Sequence, residues 1–66
     1  MSYEVFQKRI NALLRRVKGG GITVSFSHRD GKHYANFSDG TTIIGNSVSM
    51  KVAVKWGSGH VASATI

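Results

Sequence analysis

The feature that most constrains this chain is a change of hydrophobic period across Gly19-Gly20-Gly21. Three consecutive residues without side chains stop a helix, and the apolar pattern reads differently on either side of them. Before the glycines, Phe6, Ile10, Leu13, Leu14 and Val17 fall at i, i+4, i+7, i+8 and i+11, which gathers them in one stripe of a helix predicted over residues 3–18. Ser2 is suited to cap its start. Glu4 complements the positive end of the helix dipole, and Arg15, Arg16 and Lys18 complement the negative end.

After the glycine hinge at 19–21 the period becomes two. Ile22, Val24 and Phe26 alternate with Thr23, Ser25 and Ser27, and Asp30-Gly31 is a preferred pair for a two-residue type I′ hairpin turn. That turn predicts Arg29 opposite Lys32, His28 opposite His33, Phe26 opposite Ala35 and Val24 opposite Phe37, with the apolar residues of both strands on one face. Asp39-Gly40 reads as a second such turn. It predicts Phe37 opposite Thr42 and Ala35 opposite Ile44 on the inner face, with Asn36 and Ile43 pointing outward. Gly45-Asn46 reads as a third reversal, followed by Val48, Met50, Val52, Val54 and Trp56 in alternation with polar or small residues. A three-residue loop Gly57-Ser58-Gly59, with Gly59 left-handed in a bulge, pairs Val54 with Ala62 and Met50 with Ile66. Strands are therefore predicted over 22–28, 33–38, 41–45, 48–56 and 60–66.

These elements predict a single α+β domain over 1–66. One N-terminal amphipathic helix packs on one face of an antiparallel four- to five-stranded β-meander, over Val24, Phe26, Phe37, Ile44, Val52 and Val54. The alternative architecture curls the strands into an SH3-like or OB-like partial barrel with a helix.

Composition narrows the function classes. The 66 residues include no cysteine, which excludes disulfides and thiolate metal sites. No apolar run approaches the ~20 residues needed to cross a bilayer, and the first fifteen residues do not form a signal-peptide core, so a cytoplasmic protein without a membrane partner is expected. So short a chain builds a small core with little room for an enclosed pocket, which favours a binding module without cofactor over an enzyme. Ser27 and His28 are neighbours on a strand and point to opposite faces, so they do not form a nucleophile and base. The triple glycine follows a helix instead of opening one, and is no phosphate-binding loop.

Nine Lys+Arg against three Asp+Glu leave a formal charge of +6, and three surfaces are candidates to carry it to a partner. Lys8, Arg9, Arg15 and Arg16 fall opposite the apolar stripe of the helix, a ridge with Glu4 as its only acid. The hairpin tip from Ser27 to His33 brings Arg29 and Lys32 together, a like-charged cross-strand pair with no structural motive. The outer sheet face would present Thr23, Ser25, Ser27, Tyr34, Asn36, Ile43, Lys51 and Lys55, a mixture of cations, hydroxyls and one aromatic that suits phosphates and stacked bases. His28 and His33, facing each other across the hairpin, are weak candidates for a metal pair, with His60 a remote third ligand.

The leading expectation is a small basic nucleic-acid-binding accessory module that contacts phosphates through Lys8, Arg9, Arg15, Arg16, Arg29, Lys32, Lys51 and Lys55, with Tyr34 on its outer face. The alternative is a small protein-interaction adaptor or inhibitor, of the kind encoded by phages and mobile elements. It would dock on an acidic protein surface or form a homodimer through its C-terminal strand, which is uncharged and carries no proline from His60 to Ile66.

Overall fold

The computed structural model describes residues 1–16 and 21–65. The expected last helical turn, most of the glycine hinge and the pairing of Met50 with Ile66 lie outside them. One helix, α1 (Tyr3–Arg16), precedes five strands: β1 (Val24–Arg29), β2 (Lys32–Phe37), β3 (Thr42–Asn46), β4 (Lys51–Lys55) and β5 (Val61–Thr65). The strands form one antiparallel sheet in the order β1-β2-β3-β4-β5, an open meander and not a closed barrel. None of the described helix is long and apolar enough to cross a membrane.

Ser2 opens α1 as expected. Its Oγ accepts the Val5 N–H at 3.2 Å and its carbonyl accepts the Phe6 N–H at 2.9 Å. Phe6 and Ile10 are fully buried and form the core with Ala35, Ile43 and Val52. Met1, Tyr3, Val24, Phe26, Phe37 and Val54 pack around them. The Phe6 and Phe26 rings meet edge to face at 6.3 Å, a geometry that sets the positive ring edge against the negative face. Leu14 is half-buried, and Leu13 leans to the exposed side of the stripe.

The first hairpin has the predicted register, from Val24 opposite Phe37 to Arg29 opposite Lys32. Asp30 and Gly31 both take positive φ, 53° and 74°, as a type I′ turn requires.

The second hairpin corrects the prediction by one residue. Asn36 pairs with Thr42 and Ala35 with Ile43, so Ile43 is buried and Ile44 points outward. The loop is three residues, Ser38-Asp39-Gly40, not two. Its closing bonds run from the Phe37 N–H to the Thr41 carbonyl at 2.8 Å and from the Gly40 N–H to the Phe37 carbonyl at 3.1 Å. Gly40 sits at φ 94°, the left-handed residue that follows a type I turn in such loops. Because side chains alternate with period two, one residue of slip exchanges the faces of Ile43 and Ile44.

The third reversal is also displaced. Gly45 and Asn46 belong to β3, and the chain turns between Ser47 and Met50, so β4 starts at Lys51 and not at 48. Local side-chain bonds hold this turn: Asn46 Oδ1 accepts the Val48 N–H at 3.0 Å and Ser49 Oγ accepts the Lys51 N–H at 3.0 Å. Val48, expected in a strand, is 89% exposed. The fourth hairpin is as predicted. The Trp56 N–H reaches the His60 carbonyl at 2.9 Å, Gly59 has φ 91°, and Val54 pairs with Ala62.

Candidate nucleic-acid interface

Register and alternation decide which charges share a surface. The helix covers the face that carries Phe26, Ala35, Ile43 and Val52. The opposite face is built of cross-strand rows. One row reads Ser27, Tyr34, Ile44, Ala53, Ser63, and a second reads Ser25, Asn36, Thr42, Lys55, Val61. At the end of the sheet that holds the first hairpin tip, Arg29 stands opposite Lys32, Lys32 opposite Asn46, and Lys51 opposite Thr65. Adjacent strands lie ~4.8 Å apart and alternate residues along a strand ~6.8 Å apart, so the cationic row runs beside the Tyr34–Ile44 row at about the distance that separates a nucleotide's phosphate from its base.

Tyr34 is the aromatic of this face. The Arg29 guanidinium carbon lies 5.8 Å from its ring centroid, a cation–π contact. The contact gives Arg29 a partner beside the like charge of Lys32. Arg29, Lys32, Lys51 and Lys55 are exposed, and Tyr34 is half-buried. Of the three acids, Glu4 is in α1 and Asp39 in the second turn, while Asp30 sits in the first turn between Arg29 and Lys32. Asp39 Oδ1 accepts the Thr41 N–H at 2.9 Å. Hydrogen bonds from the Thr41 backbone and then its hydroxyl hold the Asp39 carboxyl below its ordinary value of 3.8. Asn36 and Thr42 are tied to each other, the Thr42 hydroxyl donating to Asn36 Oδ1 at 3.1 Å.

The nine residues expected to meet nucleic acid therefore fall into two sets. Arg29, Lys32, Tyr34, Lys51 and Lys55 share the outer sheet face. Lys8, Arg9, Arg15 and Arg16 are exposed on the helix, across the sheet from that set. The ridge is also less uniformly basic than its sequence reads, because Lys8 Nζ lies 3.9 Å from Glu4 Oε1 in an exposed i,i+4 pair. Ile43, expected on the outer face, is in the core, and Ile44 takes its place beside Tyr34. The three-residue loop already preferred for Gly57-Ser58-Gly59, applied to Ser38-Asp39-Gly40, would have found this.

The histidine pair has another occupation. His28 and His33 do face each other, but on the helix side, where the Tyr3 ring lies 4.4 Å and 5.5 Å from them. His33 is buried beneath Tyr3 and Phe6, and its Nε2 lies 3.0 Å from the Met1 carbonyl, to which it donates. Its Nδ1 is buried without a partner. The Met1 ammonium is itself bonded to the Ser47 carbonyl at 2.8 Å. His60, in the β4–β5 hairpin, is at the other end of the sheet. Among the described residues no three His, Cys, Asp or Glu side chains are grouped to hold a metal ion.

No protein-family model, no curated protein and no solved structure matches this chain.

Proposed function

We propose that this protein is a small nucleic-acid-binding module, not an enzyme, and that its outer sheet face is the platform. The observation that carries the reading is the sorting of charge: Arg29, Lys32, Lys51 and Lys55 share one face with Tyr34, and the strands of that face contribute no carboxylate. Phosphates lie along the cationic row and a base stacks on Tyr34, with Ile44 beside it. The helix ridge adds to the long-range field that draws a polyanion in, without touching what the sheet holds. A chain without cysteine is compatible with a reducing, cytoplasmic setting.

Fluorescence anisotropy against single-stranded DNA, single-stranded RNA and duplex DNA at two salt concentrations tests the reading. Neutralising four phosphates on a single strand gives a log–log salt slope of about −3. Replacing Lys32, Lys51 and Lys55 by Gln together should flatten that slope by about 2. Absence of binding to all three nucleic acids at low salt rejects the proposal.

A further inference from the structure

The described sheet ends on β5, an edge strand that lacks two of the usual guards. Among the described residues β5 pairs only with β4, and Val61–Thr65 contains neither charge nor proline, the residues by which edges commonly turn away an added strand. The Trp56–His60 bond sets the phase of the β4–β5 ladder. Ala62 and Ala64 therefore bond toward β4, while Val61, Ser63 and Thr65 turn their N–H and C=O groups to the open side.

Cations flank this edge above and below. On the helix side Arg9, Ala12, Leu13 and Arg16, at i, i+3, i+4 and i+7, line a groove of about 330 Å³ that Thr65 closes. On the outer side Lys55 and Lys51 stand directly across from Val61 and Thr65. The apolar side chains within reach, Leu13 and Val61, are 36% and 58% exposed.

We propose that β5 and the arginine groove accept an extended acidic segment of a partner protein as a sixth strand. Alternate side chains of such a strand point to opposite faces. On one face acids meet Arg9 and Arg16 across the Leu13 surface. On the other they lie two strand spacings, ~10 Å, from the backbone of Lys51 and Lys55, a gap that lysine side chains span. A second copy of β5 would satisfy the same backbone groups, but it would bring four more cations against these four on a chain already at +6. Charge therefore selects an acidic partner over self-association. The surface shares Lys51 and Lys55 with the outer face, but it is argued from the open edge of β5 and the arginine groove and not from the nucleic-acid reading.

The probe is a fluorescein-labelled peptide of about eight residues in Glu-Glu-Val-Val repeats, which places Glu on both faces of a strand and is long enough to span an edge, with a Lys–Val counterpart of the same pattern. The intact chain should bind the Glu–Val peptide and not the Lys–Val peptide. Ser63→Pro removes one outward N–H and no bond to β4, and should weaken binding about tenfold or more. The Arg9→Gln, Arg16→Gln double variant should weaken it about two- to tenfold. In the wild-type protein, the amide resonances of Val61 and Ser63 should shift on titration, a readout that stands if Ser63→Pro fails to fold. Equal binding of both peptides, undiminished binding by a folded Ser63→Pro variant, or unmoved Val61 and Ser63 amides overturns the proposal. So does sedimentation that shows a dimer which Ser63→Pro dissolves, because the edge would then belong to a second copy.

Discussion

The Phe6 ring of α1 packs directly against the backbone of Gly45 in the central strand: a Cβ built at residue 45 would stand 3.0 Å from both Phe6 Cδ1 and Phe6 Cε1. Gly45 is not at positive φ, so the requirement for glycine is one of space, and it is this close approach that seats the helix. Gly45→Ala should cost about 1–3 kcal/mol in urea unfolding, the range for overpacking a filled core. Combining it with Phe6→Leu should cost less than the sum of the two single changes, because the smaller side chain vacates the contested volume. Strict additivity would mean that the two residues are not in contact.

The register of β2 and β3 makes the two adjacent isoleucines inequivalent. Ile43→Ala empties a core position and should cost about 2–5 kcal/mol, whereas Ile44→Ala on the open face should cost less than about 1.5 kcal/mol. Chemical denaturation of the two variants measures the difference directly. The reverse order would restore the two-residue loop.

Asp39 makes the same turn sensitive to acid. Thr41 bonds to the ionised carboxylate and lowers its pKa in the folded state below 3.8, so between the two values the unfolded chain binds more protons. The contribution is present in full above the unfolded value and is lost as pH falls through the folded one. The stability difference between wild type and Asp39→Asn should be flat above about pH 5 and shrink below about pH 4. Thermal melts across that range check it, and a difference independent of pH would detach the carboxylate from the turn.

Tyr34 separates stacking from simple charge attraction on the outer face. Tyr34→Ala should weaken single-stranded nucleic acid about tenfold, since a stacked base is worth ~1–3 kcal/mol, while Tyr34→Phe keeps most of the affinity. The salt slope should change little in either variant, because no phosphate contact is lost. A Tyr34→Ala variant that binds as wild type would leave the lysines acting alone.

Much of this architecture is legible without coordinates because its causes are local. The Phe6–Ile10–Leu14 stripe, the Asp30-Gly31 turn and the Gly57-Ser58-Gly59 loop each carry their geometry within a few residues. Tyr34, Lys51 and Lys55 come out on one face for the same reason, since alternation needs only a strand and its register. The slip at Ser38-Asp39-Gly40 is legible only by analogy with the Gly57-Ser58-Gly59 loop, not from the strand that follows it. Thr41, Thr42, Ile43 and Ile44 offer no alternation, and with two isoleucines in succession either register buries one of them.

The sequence by itself determined the kinds of element, the composition of their faces and the excess of positive charge, because helix and strand periods act on neighbouring residues. Only the tertiary structure decided which isoleucine enters the core, why residue 45 is glycine, and that the helical arginines and the sheet lysines lie on opposite sides of the molecule. Those outcomes depend on where Phe6 and Ile10 come to rest on strands twenty to more than forty residues away along the chain, and no local pattern encodes a contact whose two halves are so far apart.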